Sequence, residues 1–255
     1  MRNFKGTRYL PFTVFFLGLL GLIEWLVRQK VIPHFIIPAP SGVLHALRDN
    51  SVSLLGQHLP MTLFETLLGF SLALLIGVGL ALLMYLFPFF ETLFYPFILI
   101  SQTIPIIALS PIFILWFGYT IWSKVGMGFL LAFFPIVIGL YDGLKETDSE
   151  AVELFLTMGA SRWMILKELQ WPSAMPNFFS GLKLSVIYAM VGATIGEWLG
   201  ASQGLGYYTR RMSGNLQAEG VFAAIVLLSI SGMIFFGMIT LIETYYFRWR
   251  KERKK

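Results

Sequence analysis

The chain contains no cysteine. That excludes a disulfide framework and any thiol chemistry, and it leaves the compartment open. Charge is scarce too. Asp, Glu, Lys and Arg make up 13% of the 255 residues, against about a quarter in a soluble domain. Only three histidines occur, His34, His45 and His58, and their spacing suits no metal site. A membrane enzyme needs a cluster of His, Asp or Cys at one depth, and these three do not supply it. There is no G-x-x-x-x-G-K-[ST] phosphate loop, so the chain has no such device for hydrolysing ATP. No strong internal repeat and no paired midplane carboxylates are legible, which weighs against a secondary transporter.

What is present is apolar surface. Hydrophobic residues make up 56% and the mean hydropathy is +0.73, values that point to lipid as the solvent. The net charge of +5 is concentrated at the two ends. It bears on orientation and implies no nucleic-acid partner. Crossing about 30 Å of hydrocarbon takes about 20 helical residues. Six regions qualify, at roughly 11–28, 61–87, 91–117, 122–143, 177–199 and 221–247. The third is broken by Pro96, Pro105 and Pro111, and the fourth contains Pro135. Internal prolines imply a packed bundle, where neighbouring helices satisfy the freed carbonyls. The expected fold class is therefore an all-α membrane protein, one transmembrane domain over 1–255 with its core at about 60–247.

Arg2, Lys5 and Arg8 precede the first span, as in a secretory leader, but no small-x-small cleavage site follows it. The segment is expected to stay as an anchor helix over 11–28. With the N-terminus in the cytoplasm, the cytoplasmic segments hold Arg2, Lys5, Arg8, Lys145, Arg162, Lys167, Arg248, Arg250, Lys251, Arg253, Lys254 and Lys255. The outer segments hold half as many, Arg28, Lys30, Arg48, Lys124, Arg210 and Arg211. The bias places both termini in the cytoplasm of a multi-pass cell-membrane protein. Outside, residues 38–57 pattern as a short amphipathic helix, with Ser41 as its expected N-cap after Pro40.

Residues 148–172, between spans four and five, divide at Gly159. Ser149 is expected to cap a helix carrying Val152, Phe155, Leu156 and Met158. Gly159 ends it in the left-handed region. Ser161 caps a second short helix carrying Trp163, Ile165, Leu166 and Leu169, and Pro172 ends that one. An apolar helix pair of this kind docks on a partner protein or lies on lipid headgroups.

Glu153, then Gly159 six residues on, then Pro172 thirteen further and Pro176 after it, resemble the coupling loop of permease subunits of bacterial ABC importers. Leu154 and Phe155 stand where that loop has alanines, and Trp171-Pro172 replaces the usual Leu-Pro. Thr103-Ile104-Pro105-Ile106-Ile107-Ala108-Leu109-Ser110-Pro111, Ile114-Leu115-Trp116-Phe117-Gly118, Pro38-Ala39-Pro40-Ser41 and Gly204-Leu205-Gly206-Tyr207 resemble the sulfonate, taurine, nitrate and thiamine-precursor branch. The resemblance covers about residues 36–247. It implies a type I importer permease fold of six spans with a cytoplasmic coupling helix between spans four and five. It implies a separate ATP-binding subunit that uses the ATP, an external solute-binding protein and a second permease copy. The chain itself is then a transport subunit and not an enzyme, and it binds no cofactor. Glu153, Gly159, Ala160, Arg162 and Pro172 are carried over as the ATPase-coupling residues. Glu65 departs from the pattern, since many relatives carry arginine there.

Four residues are candidates for the solute pathway. Gln102 and Thr103 are polar groups in span three, and Glu197 and Trp198 lie near the outer end of span five. Gly192, Gly196 and Gly200 recur every four residues, which lets helices approach closely within one subunit or across a dimer seam. The run from Gly192 to Gly206 most resembles permeases for thiamine pyrimidine precursors, hydroxymethyl- or formylamino-pyrimidine. Sulfonate, taurine or nitrate is the alternative solute. Glu197 would suit an aminopyrimidine, whereas a carboxylate is a poor lining for an anion.

Overall fold

The computed structural model of the chain describes residues 10–247. The end charges used for orientation, Arg2, Lys5, Arg8 and the tail from Arg248, lie outside the described residues. Every regular element among the described residues is helical. The apolar stretches become α1 (Leu10–Arg28), α3 (Ser51–Leu86), α6 (Ile121–Lys145), α8 (Arg162–Gly200) and α10 (Ala218–Tyr246), five helices long and apolar enough to cross a membrane. The third expected span is two helices, α4 (Pro88–Ser101) and α5 (Ile106–Phe117), bent by 107° and counting as a sixth span if taken together. Shorter helices complete the chain: α2 (Pro40–Asp49), α7 (Ser149–Thr157) and α9 (Leu205–Gly214).

α6 is the centre of the bundle. It carries Ala132, Ile136, Val137, Leu140 and Leu144, all 0–1% exposed, and packs between α3 and α8. In lipid, helix association rests on close van der Waals contact, because hydrocarbon solvates Leu as well as a neighbouring helix does. The contact here is backbone on backbone. A Cβ on Gly192 would stand 2.5 Å from the Met127 carbonyl oxygen of α6. One on Gly196 would meet the Lys124 backbone at 2.9 Å, and one on Gly200 the Tyr119 ring at 2.7 Å. The four-residue glycine stripe is thus spent on packing inside this chain.

α1 stands apart, with no buried residue. Its tie is Glu24, which accepts from the backbone N–H of Ser41 at 3.0 Å and from the Ser41 hydroxyl at 2.7 Å, and pairs with Arg28 at 2.6 Å.

Four local expectations need correction. Ser41 does not cap α2: Ala39 holds the cap position, Pro40 opens the helix, and the Ser41 hydroxyl goes to Glu24. A charged acceptor makes the stronger hydrogen bond. The third span breaks once, at Pro105, and not at all three prolines: Pro96 and Pro111 lie within α4 and α5. Pro105 disfavours helical geometry at Ile104, and the chain turns between Ser101 and Ile106. Ser149 is the first residue of α7 and not its cap; Asp148 caps it, its carboxylate accepting from the Glu150 N–H at 3.0 Å. Pro172 ends nothing. The second short helix runs through a wide turn at Leu166–Gln170, where the Trp171 N–H bonds the Leu166 carbonyl, directly into the long helix. That turn gives the proline ring the room a regular α-helix denies it.

Candidate functional site

The segment between α6 and α8 forms a protruding tip. α7 closes on Gly159 at φ +79°. The Ala160 N–H reaches the Phe155 carbonyl at 3.0 Å and the Gly159 N–H reaches the Leu156 carbonyl at 3.0 Å, the paired bonds of a Schellman cap. Ser161 then caps α8, its hydroxyl accepting from the Met164 N–H at 3.2 Å. The tip is seated on the bundle by Ile165 and Leu166, which are buried. Lys145 holds Glu91 at 2.5 Å, and the Asn177 amide donates to Glu146 at 2.6 Å. Its outer surface is apolar. Leu154, Leu156, Met158, Trp163 and Met164 are each more than half exposed. Such a cluster marks an interaction surface.

The coupling candidates divide accordingly. Glu153 and Arg162 are exposed on the tip, and Gly159 and Ala160 make its turn. Arg162 also lines a cleft of ≈ 430 Å³ with Glu91, Lys145 and Gln170. Pro172 sits in a neighbouring cleft beside Trp163, Trp171 and Tyr246.

The pathway candidates do not form one group. Gln102 and Thr103 are exposed at the α4–α5 elbow, where the Thr103 hydroxyl donates to the Ile100 carbonyl at 2.7 Å. Trp198 shares a cleft of ≈ 330 Å³ with Thr194 and with Ile107 of the elbow. Its indole N–H donates to the Thr209 hydroxyl at 2.8 Å. Glu197 points the other way and is 0% exposed.

Around Glu197 lies a polar cluster at the end of the bundle remote from the tip. The Thr62 hydroxyl accepts from the Leu205 N–H at 2.8 Å and donates to Glu197 Oε1 at 2.6 Å. Glu197 Oε2 accepts from the Gly206 N–H at 2.6 Å. His58 Nδ1 accepts from the Gly204 N–H at 3.1 Å. Three successive N–H groups at the start of α9 are thus held by α3 and α8. Gly204 stands at φ +108°, and a side chain there would collide with the Glu197 carboxyl. Burial pushes the Tyr208 phenol up, so it stays neutral beside the His58 ring, 5.2 Å away. Glu65 of α3 and Lys124 of α6 complete the cluster, 1% and 3% exposed. Sequence reasoning gave His58 no role and did not pair Glu65 with Glu197. The available signal was the charge itself, at Glu65 inside an apolar span and at Lys124, which counts with the outer segments for orientation but falls within the fourth span and is buried. No group of three metal-ligating side chains occurs among the described residues.

Known proteins place this architecture. A chain of the inward-facing MetNI methionine ABC transporter superposes with a TM-score of 0.65 at 20% identity, over 75% of this chain and 95% of that one. That likeness gives the fold, a type I importer permease. The formylaminopyrimidine transport permease protein ThiX of Halalkalibacterium halodurans is 44% identical over 94% of this chain and 96% of its own length. The taurine transport system permease protein TauC of Escherichia coli is 25% identical over 88% and 84%. The profile of the binding-protein-dependent transport system inner membrane component family matches residues 73–246. This chain belongs to that family, as a multi-pass permease subunit of an ABC importer.

Proposed function

We propose that the chain is the membrane path of an ATP-driven importer for a thiamine pyrimidine precursor, with formylaminopyrimidine as the first solute to test. The observation that carries this is the 44% identity to the formylaminopyrimidine permease, sustained over 94% of this chain. The taurine permease stands at 25%, and sulfonate, taurine or nitrate is kept as the alternative solute.

ATP binds and is hydrolysed on a partner subunit, and the tip from Glu153 through Gly159 and Ala160 to Arg162 docks on it. Pro172 supports the tip from within α8. An extracytoplasmic binding protein delivers the solute, a second copy of this permease completes the path, and both termini are cytoplasmic. Gln102, Thr103 and Trp198 are the exposed groups that meet the solute near the elbow. Glu197 acts on the path indirectly, by fixing the turn that opens α9.

The test is uptake of labelled formylaminopyrimidine and of labelled taurine by proteoliposomes. These hold the permease with its ATPase, and the binding protein is added outside. Pyrimidine uptake that needs all three components is the expected result. Taurine uptake without pyrimidine uptake would reject the solute.

A further inference from the structure

Glu65, Glu197 and Lys124 are three ionisable side chains, none more than 3% exposed, on three helices that meet here: Thr62, one turn before Glu65, bonds Glu197, and Gly196 beside Glu197 packs on Lys124. Lys124 does not neutralise either acid by contact. Its ammonium donates to the carbonyls of Tyr119 and Thr120 at 2.8 and 2.9 Å, and among the described residues no ion pair links it to Glu65 or Glu197. Glu197 is already an acceptor twice over, from Thr62 and from Gly206. Neither oxygen of Glu65 meets an N–H or O–H donor, and Glu65 stands one helical turn along α3 from Thr62, whose hydroxyl bonds Glu197 directly.

Two ionised carboxylates have four acceptor oxygens and nothing to donate. Placed together out of water, they repel, and a buried acceptor without a donor costs the full desolvation of that group. With one ammonium nearby, two carboxylates also leave one negative charge uncompensated among apolar helices, an arrangement membrane interiors rarely keep. A single proton resolves both defects. It turns Glu65 into a donor toward Glu197 and brings the charge of the trio to zero. A metal ion fits poorly, since no third His, Cys, Asp or Glu joins the two acids among the described residues.

We propose that Glu65 and Glu197 together bind one proton, and that this proton keeps the 201–206 turn latched onto α3 at the end of the bundle remote from the coupling tip. The shared hydrogen bond orients Glu197, and Glu197 in turn holds the Gly206 N–H and, through Thr62, the Leu205 N–H. The other titratable or charged groups facing the site are His58 on α3, Lys124 on α6, and Tyr208 and Arg211 on α9. His58 is itself ionisable, so a bulk pH profile would mix its proton with theirs, and the proton has to be read at the carboxyl itself.

The experiment is infrared spectroscopy of the full chain in lipid nanodiscs at neutral pH, with amide hydrogen exchange over residues 201–206. The wild-type protein is expected to show a protonated-carboxyl C=O stretch that shifts in D2O. Glu65→Gln, whose amide donates to Glu197 without a proton, removes that band and keeps Gly204, Leu205 and Gly206 protected. Glu197→Gln removes the same band from the other partner, so one folded variant of the two suffices. Glu65→Ala removes the band and speeds exchange across the turn. Absence of the band in the wild type overturns the proposal. So does its persistence in both amide variants, and so does a band that sodium or potassium chloride abolishes, which would make the ligand a metal cation. Unchanged exchange in a folded Glu65→Ala would overturn the latch.

Discussion

At Gly159 the backbone stands at φ +79°, with open space where a Cβ would project. Any cost of substitution there is conformational, about 1–2 kcal/mol for a residue with a side chain in the left-handed region. Gly159→Ala should therefore weaken the tip without unfolding the bundle. Gly159→Pro should do more, because proline also deletes the N–H that reaches the Leu156 carbonyl and cannot take a positive φ. We expect normal membrane levels, loss of ATPase co-purification and loss of uptake for the proline variant. Wild-type association together with wild-type uptake would refute the assignment of the tip. This turn was legible because a glycine followed two residues later by a capping serine is a local signal. The choice of Asp148 over Ser149 as the preceding cap was not, since both residue types cap and they are adjacent. The Glu197 site was legible least of all. Its Thr62 partner is 135 residues away in the chain, and no local pattern announces a contact at that distance.

At the scale of helices, the pairing of α6 with α8 depends on the absence of side chains. Gly192→Ala would drive a methyl into the Met127 carbonyl oxygen, and both atoms belong to packed helices that cannot yield separately. We expect a loss of about 1–3 kcal/mol, the usual cost of overpacking, read as a lower thermal midpoint in nanodiscs. Gly79→Ala on α3 is the control, with nothing within 4 Å of the added methyl; it should be neutral or stabilising by up to about 1 kcal/mol, as Ala outranks Gly in helices. An equal loss at both positions would mean that contact is not the cause. The long helices were readable from hydropathy alone because lipid imposes length and composition together. The places where reading failed are prolines. Pro96, Pro111, Pro135 and Pro176 lie inside helices, and Pro172 follows a wide turn, whereas Pro105 redirects the chain by 107°. Sequence shows each proline equally, and packing decides which of them bends the chain.

For the whole molecule, the six expected spans and the Lys/Arg bias give a sharp topological test. Reporters fused at Asn50 and after Lys255 should read outside and cytoplasm respectively, and a reporter at Lys255 that reads outside would invert the orientation. Composition and local motifs made the class of the molecule readable, while its solute rests on resemblance along the chain rather than on any residue whose chemistry names it. The helix α8 has a mechanical consequence of its own. Its 39 residues run from the protruding tip, through the wide turn at Leu166–Gln170, to the turn that Glu197 secures. At 1.5 Å per residue that is a rod of about 58 Å. A rod pivoted near the tip magnifies motion in proportion to its length, so a tilt of about 5° carries the far end through about 5 Å. That is about one helical turn.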